Sequence, residues 1–210
     1  MTRTRTALAS AMFLATAFGQ AQAADIVIDF EADSLGFFAN GFTSVDSPLV
    51  AFSNTAESEV RIIGAGTLTP PEQADGQGLV VVDDGATRGG VQLDFAQAVS
   101  AVTLSFGNDD PAFADAGTLA NLEGFSNGVS VGSVDVVVNL DDVLNQSITL
   151  SGLTMDRVVF TYLQADRSPS ILFEIIDNIS ADFAPIPLPG AAPLFAAALA
   201  GFGARRLKRG

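Results

Sequence analysis

Apolar and polar residues alternate with a period of two over several short stretches of this chain. Ile26, Ile28 and Phe30 alternate with Val27, Asp29 and Glu31. Val91, Leu93 and Phe95 alternate with Gln92 and Asp94, and Val134, Val136, Val138 and Leu140 with Asp135, Val137 and Asn139. Successive side chains on a strand point to opposite faces, so each stretch predicts a strand with one face on a core and the other in water. Leu79–Val82 is continuously apolar and predicts a strand buried on both faces. Runs of this kind, bounded by Gly, Asn, Asp and Pro, give eleven strands: Asp25–Glu31, Leu49–Ser53, Glu59–Ile63, Leu79–Val82, Gly90–Phe95, Ala101–Phe106, Leu119–Phe125, Val129–Asn139, Ser147–Leu150, Arg157–Leu163 and Ile171–Phe183. Asn127-Gly128, between Phe125 and Val129, predicts a two-residue hairpin turn, because both residues tolerate positive φ. No long stretch between residues 24 and 184 shows apolar spacing of three and four. The expectation is an all-β fold, an antiparallel β-sandwich of two stacked sheets, jelly-roll-like. Gly64–Gly78 and Asn108–Gly117 read as long surface loops, the usual place for binding residues.

Both ends of the chain depart from this pattern. Arg3 and Arg5 precede the mostly apolar stretch Ala7–Gly19, and Ala21-Gln22-Ala23 follows, with Ala21 and Ala23 at the −3 and −1 positions of a cleavage site. Residues 1–23 therefore read as a cleaved N-terminal signal peptide, and the protein is expected to be exported. At the other end, Pro185–Pro193 holds four of the nine prolines. The apolar run Leu194–Ala204 follows, and then Arg205, Arg206, Lys208 and Arg209. Ile186–Ala204 is long enough for a short C-terminal transmembrane helix whose basic flank stays cytoplasmic.

The order of proline motif, apolar helix and terminal arginines resembles the VPLPA-CTERM variant of the PEP-CTERM sorting signals. Here the motif reads Ile186-Pro187-Leu188-Pro189-Gly190, with isoleucine for the usual first valine and glycine for the usual alanine. The resemblance implies processing by an exosortase-type membrane enzyme and release or transfer to the cell surface, after transient anchoring in the inner membrane. A simple tail anchor, leaving a membrane-retained accessory protein, is the alternative. The chain divides into a signal peptide (1–23), a β-sandwich ectodomain (24–184) and a C-terminal sorting signal (185–210).

Composition narrows the chemistry. The chain has no cysteine and no histidine. That excludes thiol nucleophiles, histidine general bases, Ser-His-Asp triads, Cys-based zinc sites and disulfides. The net charge is −14, but the basic residues crowd the two ends. Between Asp25 and Asp182, Arg61, Arg88, Arg157 and Arg167 stand against all 24 carboxylates, a balance of −20. A polyanion would be repelled, so nucleic acid is not expected as a partner. A solvated acidic surface is the plain reading of this charge; binding of cations or cationic polymers is the other.

The last strand carries the most informative residue. Ile171, Phe173, Ile175, Ile179, Ala181 and Phe183 share one phase, and Asp177 falls in it, so period two points Asp177 towards the core. A buried carboxylate needs an arginine, a proton or a metal, and without His or Cys the natural ion is calcium. Asp29-Phe30-Glu31 with Ile176-Asp177-Asn178-Ile179 looks like the two ends of jelly-roll carbohydrate-binding modules, and is similar to ectodomains preceding PEP-CTERM-type signals. Asp156–Tyr162 likewise looks like their penultimate strand. In such modules an early glutamate and a late aspartate meet at a structural calcium. The resemblance implies Glu31 and Asp177 as its ligands here, with backbone carbonyls completing the shell. Glu31 is out of phase with the apolar face, so it needs a bulge or a strand end to meet Asp177. A salt bridge from Asp177 to one of the four central arginines is the alternative.

Asp83-Asp84, Asp109-Asp110 and Asp141-Asp142 are paired carboxylates beside turns. Two carboxylates can build a glycan hydrolase, which stays open as the enzyme alternative; structural or solvating roles are the plainer reading. Phe37, Phe38 and Phe42 are the clustered aromatics, either an exposed patch or a cap on the sandwich. The sequence thus describes a non-catalytic surface or extracellular-matrix protein, structural or adhesive in exopolysaccharide or against another surface protein, with calcium as its expected ion.

Overall fold

The computed structural model describes residues 25–57, 59–64, 76–81 and 89–184. The expected signal peptide with Ala21 and Ala23, the expected sorting motif Ile186–Gly190 and C-terminal helix, residues 65–75 of the expected loop Gly64–Gly78, Asp83-Asp84 and Arg88 lie outside them. Ten strands follow one another: β1 (Ile26–Ile28), β2 (Gly36–Ala39), β3 (Val50–Asn54), β4 (Glu59–Gly64), β5 (Gln77–Val81), β6 (Val91–Phe106), β7 (Leu119–Ser126), β8 (Val129–Val137), β9 (Gln146–Leu163) and β10 (Glu174–Phe183). Every pairing between them is antiparallel, and the described residues contain no helix.

The strands form one sheet in the order β2-β4-β5-β10-β6-β9-β7-β8, with β1 added to β10 and β3 to β6. The two layers expected as separate sheets are therefore joined. β6 and β9, 16 and 18 residues long, each serve both. The first part of β6 pairs with β3 and with Arg157–Phe160 of β9; its second part pairs with β10 and with Gln146–Ser151. Register slips between Asp94 and Val99, and again before Ala101, mark the corner. The sequence pattern breaks at the same place, which is why each long strand reads there as two short ones. A bulge adds a residue and bends the strand, so the sheet folds over without ending.

The fold-over brings the two layers into contact. Phe106, at the end of β6, packs on Phe160 and Tyr162 of β9 with centroids 5.6 and 6.1 Å apart. Phe30, just past β1, meets Phe52 of β3 edge-on at 5.3 Å. All five rings are 1% exposed or less. Burial of such rings supplies much of the stabilisation, and each well-oriented pair adds about 0.5–1.5 kcal/mol. β5 is buried on both faces as its sequence predicts: Leu79 and Val81 join the main core, whereas Val80 joins Ile63 and Ile175 in a small second cluster beside Leu144.

Two readings are corrected. β10 does not keep one phase from Ile171 to Phe183: Ile171 and Phe173 precede it and are exposed, and its main-core residues are Ile176, Ile179 and Ala181. Asn178 takes a φ of 48°, and the register against β6 shifts between Asp177 and Ser180. Before this bulge, alternation puts Asp177 on the side of Ile175, away from the main core. The second correction is β2, a four-residue edge strand paired with β4. It is too short, and too rich in neighbouring glycine, to show a period.

Candidate functional site

β10 exchanges partners along one of its edges. It pairs with β5 up to Ile176–Leu79 and with β1 from Ile179–Ile28 onwards, and Asp177 and Asn178 lie at the exchange. Asp177 is 1% exposed; its Oδ1 accepts the Asn178 N–H at 2.7 Å and its Oδ2 the Asn178 Nδ2 at 2.9 Å. Glu31 lies three residues past the end of β1. Phe30 adopts a φ of 61°, costly for a bulky side chain, and turns the chain off the strand. Asp46 Oδ2 holds this turn by accepting the N–H groups of Asp29 and Phe30, both at 3.2 Å.

Glu31 is clamped to the first residue of β5. Its Oε1 accepts the Gln77 N–H at 2.6 Å, and its backbone carbonyl accepts Gln77 Nε2 at 3.0 Å. The carboxylate lies on Gly76, where a Cβ would stand 1.9 Å from Oε1 and φ is +106°, so only glycine fits. Glu31 stands just past the end of β1 and Asp177 at the bulge of β10, and each carboxylate accepts protein N–H groups. Their oxygens with backbone carbonyls are a donor set of the kind calcium takes. Among the described residues no group of three or more carboxylates gathers as a metal site.

The described arginines are engaged elsewhere. Arg157 Nε pairs with Asp94 at 2.6 Å, Arg167 Nη1 with Asp135 at 2.5 Å, and Arg61 stands 4.8 Å over the Phe37 ring. The phenylalanine cluster divides between its two readings. Phe38 and Phe42, 4.4 Å apart, pack against the core, whereas Phe37 is 60% exposed on β2, directly opposite Arg61 of β4. Residues 24 positions apart carry no such relation in the sequence; only the register reveals it.

Among the described carboxylate pairs beside turns, Asp109 and Asp141 hold loops. Asp109, fully buried, accepts the Leu140 N–H at 2.7 Å on Oδ2 and the Asp142 N–H at 2.9 Å on Oδ1. Burial, with nearby Asp141, raises its carboxyl above the usual aspartate value despite those two donors. Asp141 in turn accepts the Val143 N–H and the side-chain amides of Asn139 and Asn145. Tyr162, the single tyrosine, has its hydroxyl pushed well above the ordinary value by burial and by the charges of Glu174 and Asp109. Glu174 also accepts the Tyr162 N–H at 3.3 Å. Nothing in the sequence pattern marks Glu174, because its role depends on where β9 ends.

No family model matches the chain, and no curated protein matches it. Among solved structures it is similar to the family 32 CBM from C. perfringens NanJ in complex with galactose, at 13% identity and a TM-score of 0.41, covering 76% of this chain and 99% of that one. It is also similar to the K2 cleaved adhesin domain of Lys-gingipain, at 14% identity and a TM-score of 0.41, covering 77% and 99%. CBM32-3 from a family 31 glycoside hydrolase of Clostridium perfringens scores 0.35 at 10% identity, covering 62% and 91%. Scores this far below 0.5 mark a loose likeness of shape and carry nothing about ligands.

Proposed function

We propose that this protein is an exported, non-catalytic scaffold of the cell surface or extracellular matrix, with a jelly-roll-like ectodomain that is structural or adhesive in exopolysaccharide. One observation carries the reading. Each of the four buried carboxylates among the described residues accepts a main-chain N–H: Asp33 from Val45, Asp109 from Leu140 and Asp142, Glu174 from Tyr162, and Asp177 from Asn178. Carboxylates used in this way hold loops. A hydrolase instead needs an acid and a partner carboxylate about 5–10 Å apart, facing a sugar.

In this reading the N-terminal signal exports the chain, and an exosortase-type enzyme processes the Ile186–Gly190 motif. Asp25 and Ala184 leave the domain at the same end, since Ile26 pairs with Ala181 and the Ala184 N–H bonds the Ala98 carbonyl. Phe37, exposed beside Arg61, is the aromatic surface offered to polysaccharide. Glu31 and Asp177 hold a structural calcium at the exchange between β1 and β5.

The test is co-sedimentation of the chain with the exopolysaccharide of its own cells, in calcium and in chelator. Retention that weakens in the Phe37→Ala variant is expected, and absence of retention in both conditions removes the glycan reading. For calcium the readout is the melting temperature: calcium is expected to raise it, and Asp177→Ala to abolish the rise. Identical melting in chelator overturns the ion.

A further inference from the structure

We infer that β8 is a self-association edge, pairing antiparallel with β8 of a second copy of this chain. β8 ends the strand order, and among the described residues its ladder runs to β7 alone, with the Gln146 side chain of β9 capping its last carbonyl. Exposed strand edges are normally blunted by lysine, proline or net charge. Val129–Val137 has no lysine and no proline. Its single charge, Asp135, is paired with Arg167 Nη1 and accepts a hydrogen bond from Asn121 Nδ2. On a chain of net charge −14, this is a surface along which two copies approach without mutual repulsion.

The pattern of the strand names the partner. Val138 donates its N–H back to Thr118 on the β7 side, whereas the Val137 carbonyl turns the other way and accepts Gln146 Nε2. Backbone groups therefore face the open edge at the odd positions, 133 and 135 among them. The side chains of Val131, Ser133, Asp135 and Val137 are likewise the exposed ones. A two-fold axis through Val134 sets Ser133 opposite the second copy's Asp135. The 133–135 pairs then exchange backbone hydrogen bonds, and on the exposed face a hydroxyl meets a carboxylate; Val137, whose carbonyl Gln146 holds, and Val131, at the register shift of β8, lie outside the exchange. The strand is complementary to itself in this register, which is what an isologous interface requires.

The register is tested by opposite charges at one exposed position. Sedimentation velocity on the full-length chain over a range of concentrations is expected to show a monomer–dimer equilibrium. Ser133→Asp places two carboxylates opposite Asp135 and its symmetry mate, and is expected to weaken the dimer about tenfold. Ser133→Lys places a cation there instead and is expected to keep or tighten it. Phe37→Lys, on the edge strand β2 at the opposite end of the strand order, is expected to leave it unchanged. A wild-type chain that stays monomeric at every concentration overturns the proposal. So does equal behaviour of Ser133→Asp and Ser133→Lys, or loss of the dimer in Phe37→Lys alone. Unchanged melting temperatures in the three variants separate loss of association from loss of fold.

Discussion

The Asp109 carboxylate, 31 residues away in the chain, is the acceptor that holds Leu140 in a left-handed turn. Leu140 has a φ of 60°, and its N–H reaches Asp109 Oδ2 at 2.7 Å. Asp142, also left-handed at 57°, donates to Oδ1. One side chain therefore satisfies two main-chain donors in a loop with no ladder of its own. Replacing it by alanine leaves both donors without acceptors and is expected to cost on the order of 1–3 kcal/mol, measured by urea denaturation.

The same carboxylate sets an unusual pH dependence. Its folded-state value lies above the ordinary 3.8. Its contribution to stability is full below that value and is lost as pH rises through the folded-state value. Asp135 behaves oppositely. Burial pushes its value up, but the Asn121 amide and Arg167 outweigh it and hold the carboxyl low, so its contribution is lost as pH falls. Denaturation on either side of pH 3.8 checks the pair: Asp109→Asn is expected to remove a fall in stability with rising pH, and Asp135→Asn an acid-side loss.

Gly107 lies beneath the loop that Asp109 anchors. A Cβ there would stand 2.0 Å from the Val143 carbonyl oxygen and 2.4 Å from the Leu144 Cα. Because these are backbone atoms, the loop itself must move. Gly107→Ala is expected to destabilise by about 1–3 kcal/mol. The check is a thermal melt beside Gly128→Ala, whose Cβ meets nothing within 4 Å and whose cost is the positive φ alone.

Two phenylalanines give contrasting expectations. Phe52 is fully buried and touches Phe30 and Phe42, so Phe52→Ala is expected to cost about 3–5 kcal/mol. Phe37 is 60% exposed, and its alanine variant is expected to melt within a degree or two of the parent, consistent with roughly 0.5 kcal/mol at an exposed site. A large loss at Phe37 would show that the ring packs against the fold and is not offered outward.

Much of the fold is legible in the chain, for a local reason. The alternations at 26–30 and 91–95 appear as a buried face against a more exposed one, that at 134–138 as a half-buried to buried face against an exposed one before Leu140 leaves the strand in a left-handed turn, and Asn127-Gly128 forms the β7–β8 turn with φ of 51° and 77°. These features depend on the residue and its immediate neighbours. The site is less legible. The sequence marks Asp177 as buried, yet points it to the wrong face, because the count of two is reset at Asn178.

The sequence by itself determined that the described chain is all β, acidic and free of thiol and imidazole chemistry. Period two and composition are local properties, and a single chain displays them in full. Tertiary structure alone decided that β6 and β9 run through the corner, that Phe37 lies across from Arg61, and that Asp109 serves Leu140 and Asp142. A bulge, a cross-strand neighbour and a buried acceptor are set by which distant strand supplies the partner, and pairing of that range leaves no period in the chain.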